Sequence, residues 1–175
     1  MIAEEEKPID CPDVGDTVVY ASHGIGRVVA RERKPVGGSE DECIVVDLDA
    51  GLRVTLSLKD ASERLRSVAD ERELEDVRRT LLAEPAPLTK QWTKRLGESK
   101  AKLASGRPVD LAELVRDGSR FEQARGEQLS HGERRLYLKA RELLMREIAS
   151  ARGLGHDEAE AWIDEQLAVR GESED

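Results

Sequence analysis

The sequence predicts an α+β protein in two parts, a small antiparallel β barrel followed by a compact domain of about five helices. Three observations carry this. Apolar and polar residues alternate from Thr17 to Leu58, the β signal stops after Leu58, and helix-starting and helix-ending residues then recur along the 175-residue chain. Charged residues make up 37% and aromatics only 3%, so both interiors must be built from Val, Leu, Ile and Ala beneath a heavily solvated surface.

The first strands flank "GDTVVYASHGIGRVVARER", Gly15 to Arg33, where His23, Gly24 and Gly26 interrupt two Val-rich segments. A phosphate cradle would need GxxxxGK[ST] leading into a helix, and this turn leads into a β pattern. A zinc site would need about four ligands, whereas Cys11, His23, Cys43, His131 and His156 are scattered without CxxC or HxxxH spacing. The glycines therefore supply positive φ or close backbone approach at a strand-to-strand turn. Further on, Ile44, Val46 and Leu48 share one side, as do Val54, Leu56 and Leu58, with Arg53, Thr55 and Ser57 opposite. "KPVGGSEDE" (Lys34–Glu42) and "DAG" (Asp49–Gly51) read as turns, giving four or five antiparallel strands.

The helices are marked by capping-box pairs, Asp70 with Glu73, Ser130 with Glu133 and Asp157 with Glu160, and by closing glycines at 106, 153 and 171. They are expected over Glu71–Ala83, Thr89–Ser105, Leu111–Arg125, Gly132–Arg152 and Glu158–Arg170, with "EPAP" (Glu84–Pro87) parting the first two. In the fourth, Leu136, Ala140, Leu143, Leu144 and Ala151 form an apolar stripe at helical spacing.

The net charge of -9 argues on average against a nucleic-acid partner. Its distribution does not, because residues 87–150 carry 14 basic against 9 acidic side chains, a positive block inside an acidic chain. No apolar run approaches the roughly 20 residues that cross a bilayer, and Met1–Asp10 is no signal peptide, so a cytoplasmic protein with reduced Cys11 and Cys43 and no membrane partner is expected. No Ser-His-Asp, Cys-His or paired-carboxylate arrangement stands out, so neither catalysis nor a cofactor is expected. No heptad seam predicts a dimer, and a monomer is expected.

"GDTVVYASHGIGRVV" with the strands through Leu58 resembles the RNA-polymerase-interacting module shared by CarD/CdnL-type bacterial transcription regulators and the transcription-repair coupling factor. "QWTKR", "KLASG", "LAELVRD" and "LSHGERRLYLKARELLMREIA" resemble the helical C-terminal domain of the CarD/CdnL members. The resemblance implies a Tudor-like β module, expected over residues 14–67, and a helical DNA-facing domain, expected over 68–171; the charge distribution adds an acidic extension at 1–13 and an acidic tail at 172–175. It also implies docking on the polymerase β subunit and contact with promoter DNA at the upstream edge of the transcription bubble.

Polymerase contact is carried over to Lys34, Val36, Arg53 and Thr55. The family's second basic position falls on Thr55, which lacks the charge, and Arg53 is the neighbouring cation; Ala21 stands where the family has Pro. DNA contact is carried over to Trp92 as a wedge, with Lys94, Arg95, Arg134 and Arg135 on phosphates, while Gly97 replaces a further basic residue. Periodicity alone gives a different answer, since Trp92, Leu96, Ser99 and Leu103 make a buried stripe. Trp162, beside Ile163, reads as core. A second functional reading keeps the polymerase and dispenses with DNA: an adaptor whose helices recruit another protein.

Overall fold

The computed structural model describes residues 11–85, 87, 90–123 and 129–169, except the side chain of Val36. Most of the expected acidic extension, the tail at 172–175 and the expected helix boundaries at Thr89, Arg125 and Arg170 lie outside these described residues. The chain divides into two compact units, Met1–Val68 and Ala69–Asp175.

In the first unit β1 (Thr17–Tyr20), β2 (Gly24–Val36), β3 (Ser39–Leu48), β4 (Arg53–Ser57) and β5 (Leu65–Ser67) form one antiparallel sheet in the order β4-β3-β2-β1-β5. Among the described residues no ladder joins β4 to β5. The sheet is open where a barrel was expected, because β5 is three residues long and pairs only with β1. Val18, Val28, Ile44, Val46, Leu48 and Leu56 fill its core face. A short helix that the sequence did not announce, α1 (Leu58–Arg64), lays Ala61 on that core. Seven residues are too few to display a helical period; its local signal is Ser57, whose hydroxyl accepts from the Asp60 N–H at 3.1 Å.

The two opening glycines work differently. Gly24 takes φ +92°, while at Gly26 a Cβ would lie 2.7 Å from the Asp47 carbonyl oxygen of the neighbouring strand. The turn expected over Lys34–Glu42 shrinks to Gly37 and Gly38, at φ +61° and +96°. A two-residue hairpin turn of this hand needs two consecutive positive φ values, which this pair supplies, so the flanking charged residues stay in the ladder.

The register of β2 against β3 slips at Val29, between Val28↔Val46 and Ala30↔Val45. One extra residue inverts which side chains face the core. It turns Lys34 to the face that carries Arg53 and Thr55. That face is not wholly wet, since Cys43 and Val45 on it are buried.

The second unit contains all five expected helices: α2 (Glu71–Leu82), α3 (Trp92–Ser105), α4 (Pro108–Gln123), α5 (His131–Arg152) and α6 (His156–Val169). The capping boxes at Asp70/Glu73 and Ser130/Glu133 are both formed. The third is displaced: α6 begins two residues earlier than expected, with Glu158 accepting the Gly155 N–H at 2.7 Å, while Glu160 pairs with Arg141. α4 likewise starts early, at Pro108, whose fixed φ suits a first turn. Leu74, Val77 and Leu81 of α2, Leu111 and Val115 of α4, and Ala140, Leu144 and Ile148 of α5 make the core. Glu147 is buried among them and its Oε1 accepts the Ala69 N–H at 3.0 Å, tying α5 to the approach of α2. Trp162 is not core as expected but partly buried at its edge, with the Arg152 guanidinium 4.8 Å from its ring centroid. None of the described helices is long and apolar enough to cross a membrane.

Candidate nucleic-acid and polymerase interfaces

α3 is the peripheral helix of the second unit, and none of its residues is fully buried. Trp92 is its first residue. A helical side chain leans toward its own N-terminus, so the indole reaches beyond the end of the packed face instead of joining the stripe below it. There Nε1 donates to the Ser130 hydroxyl at 3.1 Å and the residue stays 47% exposed. One turn on, Arg95 Nε donates to Glu133 Oε1 at 3.0 Å. Both contacts span 38 residues, so α3 and α5 run side by side in the same direction. Their positive dipole ends therefore meet at Trp92. Gln91, preceding α3, makes no side-chain cap, which leaves the first-turn N–H groups of α3 without a side-chain acceptor among the described residues.

The four cations expected on DNA differ in how they are held. Lys94 lies 4.0 Å from Glu98 and Arg134 3.7 Å from Glu122, both with side chains about 60% exposed, so these ion pairs are weak and open to exchange. Arg135 is exposed on the next position of α5. Arg95 is committed inward: its side chain is 20% exposed, its carboxylate partner 9%, and its guanidinium sits 5.7 Å from the Phe121 ring centroid. Burial pushes the Glu133 carboxyl up, but Ser130 and Arg95 donate to it and outweigh that, leaving it below the usual carboxylate range.

Ser130 is the residue that sequence reasoning did not assign to the site. Its capping box was legible, but a hydrogen bond to a tryptophan 38 residues away leaves no local trace.

In the first unit the strand register places Lys34, Arg53 and Thr55 on one face of the sheet, with Arg53 and Thr55 on the edge strand β4. The side chain of Val36 lies outside the described residues, although its backbone pairs with Ser39 on the same register. Lys34 pairs with Glu32 at 2.9 Å. Arg53 grips Asp47 with two N–H groups, Nη2 to Oδ2 at 2.7 Å, and hydrogen bonding from Arg53 holds the Asp47 carboxyl below its ordinary value. Among the described residues no group of three or more His, Cys, Asp or Glu is placed to hold a metal ion.

A family model described as CarD, C-terminal domain, matches residues 76–164, and one described as CarD-like/TRCF RID domain matches residues 13–69.

Proposed function

The chain belongs to the CarD family of RNA-polymerase-interacting transcription factors, and from that premise we propose that its β unit docks on the polymerase β subunit while its helical unit stabilises the promoter open complex. In this reading residues 14–67 carry the polymerase surface through Lys34, Val36, Arg53 and Thr55. Residues 68–171 face DNA at the upstream edge of the bubble, and the protein catalyses no reaction.

The observation that carries the reading is the half-exposed indole of Trp92, steadied by Ser130 where two helix N-termini converge. A ring held at one edge and free at the other is suited to lie against a distorted base step, and such stacking contributes about 1–3 kcal/mol, roughly five- to a hundredfold in open-complex population. Lys94, Arg134 and Arg135 supply phosphate contacts around it. Arg95 acts differently, as the clamp that fixes α3 on α5 through Glu133. Glu98, Glu122 and Glu133 dilute the local positive charge, so affinity for free duplex is weak and steeply salt-dependent, and attachment to polymerase raises the effective concentration.

The same carboxylates favour the second reading, a polymerase-bound adaptor whose helices recruit a protein. Trp92→Ala separates the two: open-complex lifetime falls on the DNA reading and is unchanged on the adaptor reading, with polymerase binding intact in both. Nanomolar binding to free duplex at physiological salt would contradict the tethering element.

A further inference from the structure

Past Trp92, α3 and α5 leave a shallow groove between them. Leu96 and Leu103 of α3 and Leu136 of α5 are half-buried along it, and Leu138 stands 48% exposed beside them. Lys100, Arg135 and Lys139 line the same groove. Lys139 is held by Glu142 at 3.3 Å, whereas among the described residues no ion pair engages Lys100 or Arg135. Lys100 and Arg135, both exposed, thus stand on one surface with the half-exposed Leu138 and the half-buried Leu96 and Leu136.

A phosphate backbone would use the cations and leave the leucines wet, while a neutral apolar partner would leave the cations unmatched. We infer that this groove docks an acidic amphipathic helix of a partner protein. Its apolar residues at helical spacing lie on the leucines, and its carboxylates meet Lys100 and Arg135. The lining runs from Leu96 to Leu103 on α3 and from Gly132 to Lys139 on α5, about 10.5 Å of each helix, so two turns of a partner cover it. The inference does not rest on DNA contact by Trp92, and where the partner helix is docked Arg135 meets its carboxylate in place of a phosphate.

The test titrates the full chain with a synthetic helical peptide bearing Leu at helical spacing and Glu elsewhere, beside its Lys-for-Glu counterpart and a scrambled sequence. The expected result is amide NMR shifts confined to the two lining segments, for the acidic peptide alone. Its affinity should drop about tenfold on Lys100→Glu or Leu138→Ser and stay unchanged on Trp92→Ala, with the fold of each variant checked by circular dichroism. Equal binding of the scrambled or basic peptide, or indifference to both groove variants, overturns the inference. So does a duplex that shifts these segments when the peptide does not, which makes the groove part of the DNA surface. Equivalent shifts on removal of residues 170–175 also overturn it, by making the chain's own terminus the occupant.

Discussion

The Ser130 hydroxyl accepts from both the Trp92 indole at 3.1 Å and the Glu133 backbone N–H at 3.2 Å, so one oxygen caps α5 and steadies the exposed ring. Its two lone pairs are thereby used up. Helix stability and indole orientation are consequently coupled. Ser130→Ala should cost about 1 kcal/mol through the lost cap. It should also free the ring, read as faster fluorescence depolarisation of Trp92 in a Trp162→Phe background. A stability loss without depolarisation would mean that the hydrogen bond does not orient the ring.

The Glu133 carboxyl sits below its ordinary value in the folded state. A depressed carboxylate contributes stability that is fully present above the unfolded-state pKa and is lost as pH falls through the folded one. Thermal melts from neutral pH into the acid range should therefore show a decline that Glu133→Gln flattens. The variant should be less stable than the parent at pH 7 and converge on it in acid. A constant gap would rule out this linkage.

Gly118 and Gly97 should respond in opposite directions to alanine. A Cβ on Gly118 would lie 2.3 Å from the ring of buried Tyr137, whereas at Gly97, on exposed α3, it meets nothing within 4 Å. Helix propensity favours alanine at both by up to about 1 kcal/mol. At Gly118 overpacking costs about 1–3 kcal/mol or more, so Gly118→Ala destabilises while Gly97→Ala stabilises. Urea midpoints of the pair check this, and equal signs would mean that α4 yields to the added methyl.

Ala21 sits at φ +35°, a conformation glycine takes freely and proline cannot adopt. Ala21→Gly should be tolerated or stabilising. Ala21→Pro should cost about 1–3 kcal/mol in guanidinium unfolding, because its ring requires φ near -65°. The proline usual in the family at this place would thus require a different turn here, and a neutral Ala21→Pro would show that the turn re-forms without cost.

Arg53 and Lys34 share a sheet face although 19 positions and a bulge separate them. If that face meets polymerase, Arg53→Glu should weaken binding to the isolated β subunit about tenfold and raise its salt sensitivity. Thr55→Arg, restoring the missing charge, should strengthen it. Unchanged affinity in both would move the interface elsewhere.

Local chemistry was legible in the chain. The capping boxes at Asp70 and Ser130 act over three residues, the glycine pair at 37 and 38 dictates its own turn, and alternation marked the core of β3 and β4, so these elements could be read without a fold. What acts across the chain could not. The bulge at Val29 reverses which side Lys34 faces, and whether Trp92 joins the packed stripe or stays exposed depends on where α3 begins against α5. The resemblance carries Arg95 over as a phosphate contact, and its pairing with Glu133, 38 residues away, could not be read locally. Hydrogen bonds and burial between distant segments are set by packing, and a side chain's neighbours exist only once the helices have come together.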